Sequence, residues 1–189
     1  MSGLDRVYIT GAPGSGVTTL GRAVAARLGA VHIDTDDHYW AATDPPYQVK
    51  RDVADRLSSI AVEQARTGRW VVSGTLETWG EKAIADAQLV VFLEAPTPVR
   101  LERLRARERA RFGDSLGPGG AMHETHRHFI EWASHYEDGT QPGRSRPRHE
   151  RWLANTDKPI LRLDGTRRLE DLVDAVCRAG SPSAEPGSR

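Results

Sequence analysis

A short stretch near the start of the chain, Gly11-Ala12-Pro13-Gly14-Ser15-Gly16-Val17-Thr18-Thr19, restricts the possible folds more than any other. The apolar run Val7-Tyr8-Ile9 leads into it, and a segment with Leu20, Val24 and Leu28 on one helical face leads out. A strand that passes through a glycine-rich loop into a helix is the setting in which backbone amides gather around a phosphate. Gly11, Gly14 and Gly16 let the backbone approach an anion where a Cβ would obstruct it. The helix that follows adds its unpaired amides and positive end. Gly11, Pro13, Gly14, Ser15, Gly16, Val17, Thr18 and Thr19 are therefore the expected nucleotide contacts, with the Thr18 hydroxyl placed for Mg²⁺.

One position departs from the pattern. GxxxxGK[ST] demands lysine where this chain has Val17. Valine keeps the shape but supplies neither charge nor donor. Binding then survives more readily than phosphoryl transfer, which loses an ammonium that would offset charge on the transferred group. Either the protein binds nucleotide without transfer, or another cation has taken over.

The cation inventory narrows the search. Of 26 basic residues only Lys50, Lys82 and Lys158 are lysines, so a substitute charge is expected from a guanidinium. The basic residues are balanced by 26 acidic ones, and a net charge of zero advertises neither nucleic acid nor membrane. The arginine clusters lack the interleaved aromatics of single-strand binders, so nucleic acid is not an expected partner. A length of 189 residues suits one domain. Cys177 has no internal disulfide partner, and the chain shows neither a charged-then-apolar leader nor a long apolar run. The expectation is a cytoplasmic protein, monomer or homodimer.

Short β-rich runs recur at Arg6 to Thr10, Ala30 to Asp34, Trp70 to Ser73, Leu89 to Glu94 and Pro159 to Leu163. Alternating with helical patterns, they predict an α/β, three-layer fold: a five-stranded parallel sheet with helices on both faces. Val53, Leu57, Ile60 and Ala61 form one expected core stripe, and Leu169, Leu172, Val173 and Val176 another. Residues 1–179 are expected to form a single domain and residues 180–189 a disordered tail. The regularity breaks between Phe112 and Pro147. A flexible connection, Phe112 to Gly120, beside an arginine-rich helix predicts a small helical lid insertion over about residues 107–147. A mobile insertion without a catalytic part has the same composition.

The second strand ends in Ile33-Asp34-Thr35-Asp36-Asp37-His38, at the sheet edge where ligands bind. If strand geometry continues, Asp34 and Asp36 share a side, one to hold hydrated Mg²⁺ and the other to accept a proton from a substrate hydroxyl. Asp37 is then the helix cap. Ser73, Gly74 and Thr75 leave room for an acceptor beyond strand three, with Trp79 as a wall and Tyr39-Trp40 and Asp44 to Tyr47 as a rim. Arg100, Arg103, Arg107 and Arg111 follow helical spacing among Glu102 and Glu108. They make a solvated salt-bridged face or point at phosphates, and Arg107 and Arg111, nearest the flexible loop, are the expected catalytic cations. Arg144 to His149 is a second basic cluster, a solvated linker face or a contact for phosphate or RNA. The turn Gly165-Thr166 after the last strand can hold a nucleotide base.

Together these residues resemble the nucleoside-monophosphate-kinase-like P-loop family, which includes adenylate, shikimate and gluconate kinases, over roughly residues 6 to 179. GAPGSG followed by Thr18-Thr19-Leu20 is similar to the adenylate kinase opening, and Asp34-Thr35-Asp36 resembles the DxD of shikimate-type kinases. The resemblance implies ATP and Mg²⁺ as cofactors, and a small hydroxylated metabolite or nucleotide as acceptor. It also implies that the Arg107 to Arg111 region is part of a lid and Gly165-Thr166 an adenine loop. Adenylate kinases carry an aspartate-glycine-phenylalanine-proline-arginine run after strand three. This chain has Ser73-Gly74-Thr75-Leu76-Glu77, so the AMP-binding arginine is missing. The chain further resembles bacterial proteins labelled AAA-family ATPases or adenylate kinases, some of which also lack the loop lysine. It has no helical small domain to support an oligomeric AAA architecture.

Overall fold

A computed structural model of the chain describes residues 3–180. Residues 181–189, nearly all of the expected tail, lie outside the described residues. Five strands, β1 (Arg6–Gly11), β2 (Val31–Asp34), β3 (Trp70–Ser73), β4 (Leu89–Glu94) and β5 (Ile160–Asp164), form one sheet in the order β2-β3-β1-β4-β5. All neighbours run parallel, with Val7 of β1 beside Val71 on one side and Leu89 on the other. The helices are α1 (Val17–Leu28), α2 (Thr35–Tyr39), α3 (Val53–Ala65), α4 (Thr97–Phe112), α5 (His123–Ser134), α6 (Arg146–Asn155) and α7 (Leu169–Ala179).

Three layers follow from the alternation of side chains along each strand. Val7, Ile9, Val91 and Leu93 pack with Leu20 and Val24 of α1 and Leu172, Val173 and Val176 of α7. Tyr8, Val72, Val90 and Phe92 face the other way, onto Ile60 of α3 and Leu153 of α6. Each such apolar side chain, once buried, stabilises the fold by about 1.5–3 kcal/mol before entropy is counted. The central strand β1 is apolar on both faces and delivers the glycine loop to the carboxyl edge of the sheet.

The α7 stripe is buried as its pattern predicts, but the α3 stripe needs correction. Ile60 is buried and Leu57 half-buried, whereas Val53 and Ala61 are exposed and Arg56 takes an inward position. Its guanidinium lies 3.9 Å from the Tyr39 ring centroid and 5.1 Å from that of Trp79. Nε donates to the Arg51 carbonyl at 2.7 Å. Aromatic faces attract the cation and its stem covers apolar surface, so a charged residue occupies a place that hydrophobic spacing assigns elsewhere.

Beyond β4 the chain builds a helical insertion from α4, a 3₁₀ turn at Gly113–Leu116, and α5, which packs against α4. The inward face of α4 is Arg100, Leu104 and Glu108, all buried at four-residue spacing. Glu108 is therefore not part of a solvated face.

Candidate active site at the glycine loop

The loop between β1 and α1 is closed on itself. Ser15 is buried, and both its amide and its hydroxyl donate to the Ala12 carbonyl, at 3.1 and 2.8 Å. Gly14 and Gly16 adopt φ of 82° and 104°, a region costly for residues with a Cβ. A Cβ on Gly14 would also come within 2.5 Å of the Arg100 carbonyl oxygen. Gly16 precedes α1 with no side chain capping the helix, and the first turn carries no acid. An uncapped first turn of this kind is the setting in which helix amides can receive an anion. Val17 packs against the core beneath α1, while Thr18 is half-buried at the same turn.

The acids beyond β2 are arranged differently from the expectation. The strand stops at Asp34 and α2 begins at Thr35, so strand alternation does not carry Asp34 and Asp36 to a common side. Asp34 itself is the cap: its Oδ1 accepts from the Asp36 amide at 3.1 Å, the role assigned by sequence to Asp37. A carboxylate at this position satisfies an orphan amide, and that ends the strand. That bond uses one of the two Asp34 oxygens. Asp36 is open to solvent at its surface yet set among protein groups. Desolvation raises its carboxyl above the ordinary range, with Arg144 and Arg107 pulling it down and Asp34 pushing it up.

Beyond β3, Gly74 and Thr75 are half-buried, whereas Ser73 is not. Ser73 is fully buried and its hydroxyl lies 2.8 Å from Nε2 of His32, which corrects its expected place in the acceptor pocket. The Thr75 amide donates to Oγ1 of Thr35 at 3.1 Å, tying this edge to the start of α2. Trp79 joins an aromatic group, 5.7 Å from Tyr39, which is 4.9 Å from Trp40; Trp40 is 5.8 Å from Tyr47. The expected wall and rim are thus one continuous surface. A separate cleft of about 470 Å³ is lined by His32, Asp34, Asp37, His38 and Arg51 among others. It includes no glycine-loop residue and is not the phosphate cradle.

The arginines of α4 divide by role. Arg100 has no solvent exposure; Nη1 donates to the carbonyls of Pro13 (3.1 Å) and Ala133 (3.4 Å), Nε to Ala95, and Nη2 to Thr97 Oγ1 and Glu137 Oε1. It fastens the glycine loop to the insertion. Arg103 Nη1 donates to the Ser15 carbonyl at 3.3 Å and the Gly165 carbonyl at 3.0 Å, joining the loop to the turn after β5. In that turn the Thr166 amide and hydroxyl both bond to Asp164 Oδ1, so Thr166 shapes the turn. Arg107 donates through Nε and Nη2 to Glu108 Oε1, at 3.2 and 3.0 Å. Arg111 lies 4.9 Å from the Tyr47 ring.

Sequence reading named Arg103 only within its cluster, without its bonds to Ser15 and Gly165, and it missed a buried network beneath the site. Glu77 Oε1 accepts from Thr10 Oγ1 at 2.6 Å, lies 2.9 Å from the Tyr8 hydroxyl, and is 3.2 Å from His149 Nε2. Burial raises the Glu77 pKa, but bonds from His149 and Thr10 outweigh it and the net direction is down. Leu104 was the available signal on α4: stepping four residues either way reaches Arg100 and Glu108. No local signal joins Glu77 to His149.

A family model described as an AAA domain matches residues 7–114. That span holds the glycine loop, both aspartates and every arginine of α4. The chain belongs to the AAA-domain family. Within this family its fold is the kinase-like P-loop arrangement of nucleoside-monophosphate and shikimate kinases, and the five-stranded parallel sheet meets the expectation from sequence. The chain is 36% identical over 170 residues to Uncharacterized protein YqaC of Bacillus subtilis (strain 168), covering 90% of this chain and 94% of the relative. It is 29% identical over 128 residues to a cytidylate kinase of Pyrobaculum islandicum, covering 58% of this chain and 64% of that protein. Shikimate kinase from Acinetobacter baumannii, solved in complex with shikimate, shares the fold with a TM-score of 0.58 at 17% identity, covering 94% of this chain and 93% of that one. Among the described residues no helix is long and apolar enough to cross a membrane.

Proposed function

We propose that this chain is a cytoplasmic phosphotransferase that moves the γ-phosphoryl group of ATP to a hydroxyl of a small metabolite or nucleotide. The observation that carries the reading is the glycine loop at the carboxyl edge of the parallel sheet. It opens a helix whose first turn has no capping side chain and no acid, and β2 ends at the same edge in Asp34, with Asp36 in the helix that follows. Kinship with a cytidylate kinase supports the reaction class.

Amides from Gly14 to Thr19 cradle the phosphates, and Arg103 and Gly165 border the base. Gly11, Pro13, Ser15 and Thr166 shape these walls. Thr18 and the second oxygen of Asp34 are hard oxygen donors that fit Mg²⁺. When bound, the ion offsets charge between the β and γ phosphates. Asp36 accepts the proton of the acceptor hydroxyl, which Gly74, Thr75 and Trp79 border. Arg107 replaces the missing lysine, and Arg111 follows one turn later on Tyr47. In P-loop enzymes such an arginine is worth ~10³ to 10⁵ in rate. Transfer from Mg-ATP to a panel of hydroxylated metabolites and nucleotides tests the reading: Asp36→Asn is expected to abolish it. Wild-type transfer in that variant would sink the assignment of the base.

A second reading, a nucleotide-binding regulatory protein without transfer, is favoured by one observation: Arg107 is bonded to Glu108 rather than turned toward the loop. Tight nucleotide binding, no transfer to any acceptor and no gain in Val17→Lys would select it.

A further inference from the structure

β2 is an outermost strand of the sheet, and the cleft of about 470 Å³ lies where it meets α2 and α3. A volume of this order is in the range that receives a small molecule. Three carboxylates line it, those of Asp34, Asp37 and Glu63, against one guanidinium, that of Arg51. Among the described residues none of these four groups is held in an ion pair. The lining therefore carries negative charge that the protein leaves unanswered.

His38 sets the hydrogen-bonding character of the cleft. It lines the space while only 8% exposed, and its Nδ1 lies 2.7 Å from Ser59 Oγ. The Ser59 hydroxyl has a single proton, which it donates to the Arg56 carbonyl at 2.9 Å. Ser59 therefore accepts from His38, and the ring proton belongs on Nδ1; this tautomer is assigned from the network. Burial lowers the pKa of the ring and keeps it neutral at neutral pH. Nε2 is left with a lone pair and no partner among the described residues. A largely buried side chain thus offers an acceptor to whatever occupies the cleft.

We propose that this cleft binds a small organic cation, an amine or polyamine whose ammonium groups are met by His38 Nε2 and by the carboxylates of Asp37 and Glu63. An ammonium brings three donors and no acceptor, the complement of such a lining. An anion would be repelled, and a neutral polyol would leave the charge unanswered. A metal ion is the other cation that carboxylates and a neutral imidazole can hold. Among the described residues, however, no three His, Cys, Asp or Glu side chains gather closely enough for one. Val62, 63% exposed on the same lining, offers its methyl groups to the methylenes of an alkylamine. The cleft includes no glycine-loop residue, so the site does not rest on the phosphotransferase reading.

The test is calorimetric titration of the full chain with putrescine, spermidine and ethanolamine, with butanediol as the neutral match for putrescine. At least one amine is expected to bind saturably, more weakly as salt is raised, while butanediol does not bind. The double variant Asp37→Asn with Glu63→Gln alters two side chains that are not buried, and is expected to lower amine affinity at least ~10-fold. His38→Phe keeps a ring but removes the acceptor, and is expected to lower it at least ~3-fold. If that variant does not fold, nitrogen NMR of the wild type reads the same contact: the His38 Nε2 signal should move as its lone pair takes up a hydrogen bond from the amine. Failure of all three amines to bind saturably would overturn the proposal. So would butanediol binding as well as putrescine, wild-type amine affinity in the double variant, or a His38 Nε2 signal that stays in place at saturation.

Discussion

The guanidinium of Arg100 and the carbonyl oxygen of Pro13 meet at 3.1 Å with the arginine wholly out of solvent. An interior cation thereby holds the outer side of the phosphate loop. Arg100→Ala would leave the carbonyls of Pro13, Ala133 and Ala95 short of a donor. Each buried group left unpaired costs about 1–3 kcal/mol, so a loss of at least 3 kcal/mol is expected in denaturant unfolding. Arg100→Lys should recover little, since one ammonium cannot span these directions.

Gly14 shares that contact from the other side. With φ of 82° and the Arg100 carbonyl in the path of any Cβ, Gly14→Ala combines backbone strain with a steric clash. Strain alone is worth about 1–3 kcal/mol, so calorimetry should find nucleotide affinity reduced at least ~10-fold. Wild-type affinity would mean that the loop binds in another conformation.

Asp36 links function to stability with a definite sign. A carboxyl whose folded pKa is raised binds its proton more readily in the folded state. Its stabilising contribution is present at low pH and is lost as pH rises through the folded pKa. Asp36→Asn should therefore melt at a higher temperature than wild type at neutral pH, with the difference shrinking in acid, while transfer is lost. In wild type the acid limb of the transfer rate should fall above the ordinary aspartate range.

Glu77 has the opposite sign. Its folded pKa is lowered, chiefly by His149 and Thr10 working against burial, so its contribution is present above the unfolded pKa and lost as pH falls through the folded one. Glu77→Gln is expected to cost about 1–3 kcal/mol at neutral pH, and the gap from wild type should close in acid unfolding curves.

The central strands β1, β3 and β4 were legible because their side chains are largely apolar and buried on both faces, as parallel strands between helices must be. The phosphate loop was legible because its glycine spacing answers to backbone geometry. Asp36 could be picked out, but not its setting, since the capping bond from Asp34 starts a helix where alternation would continue a strand. Arg56, Arg100 and Glu108 escaped because charge in sequence argues for solvent, while aromatic rings, loop carbonyls and a neighbouring guanidinium receive these groups inside. Glu77 and His149 meet only through the tertiary fold.

The central claim is that Arg107 supplies the charge Val17 withholds. Steady-state phosphate transfer from Mg-ATP, measured beside nucleotide affinity in wild type and Arg107→Ala, tests it directly. The expected result is transfer reduced at least ~10³-fold with affinity changed less than ~10-fold, because the lost interaction belongs to the transition state. Transfer by Arg107→Ala at the wild-type rate would contradict it.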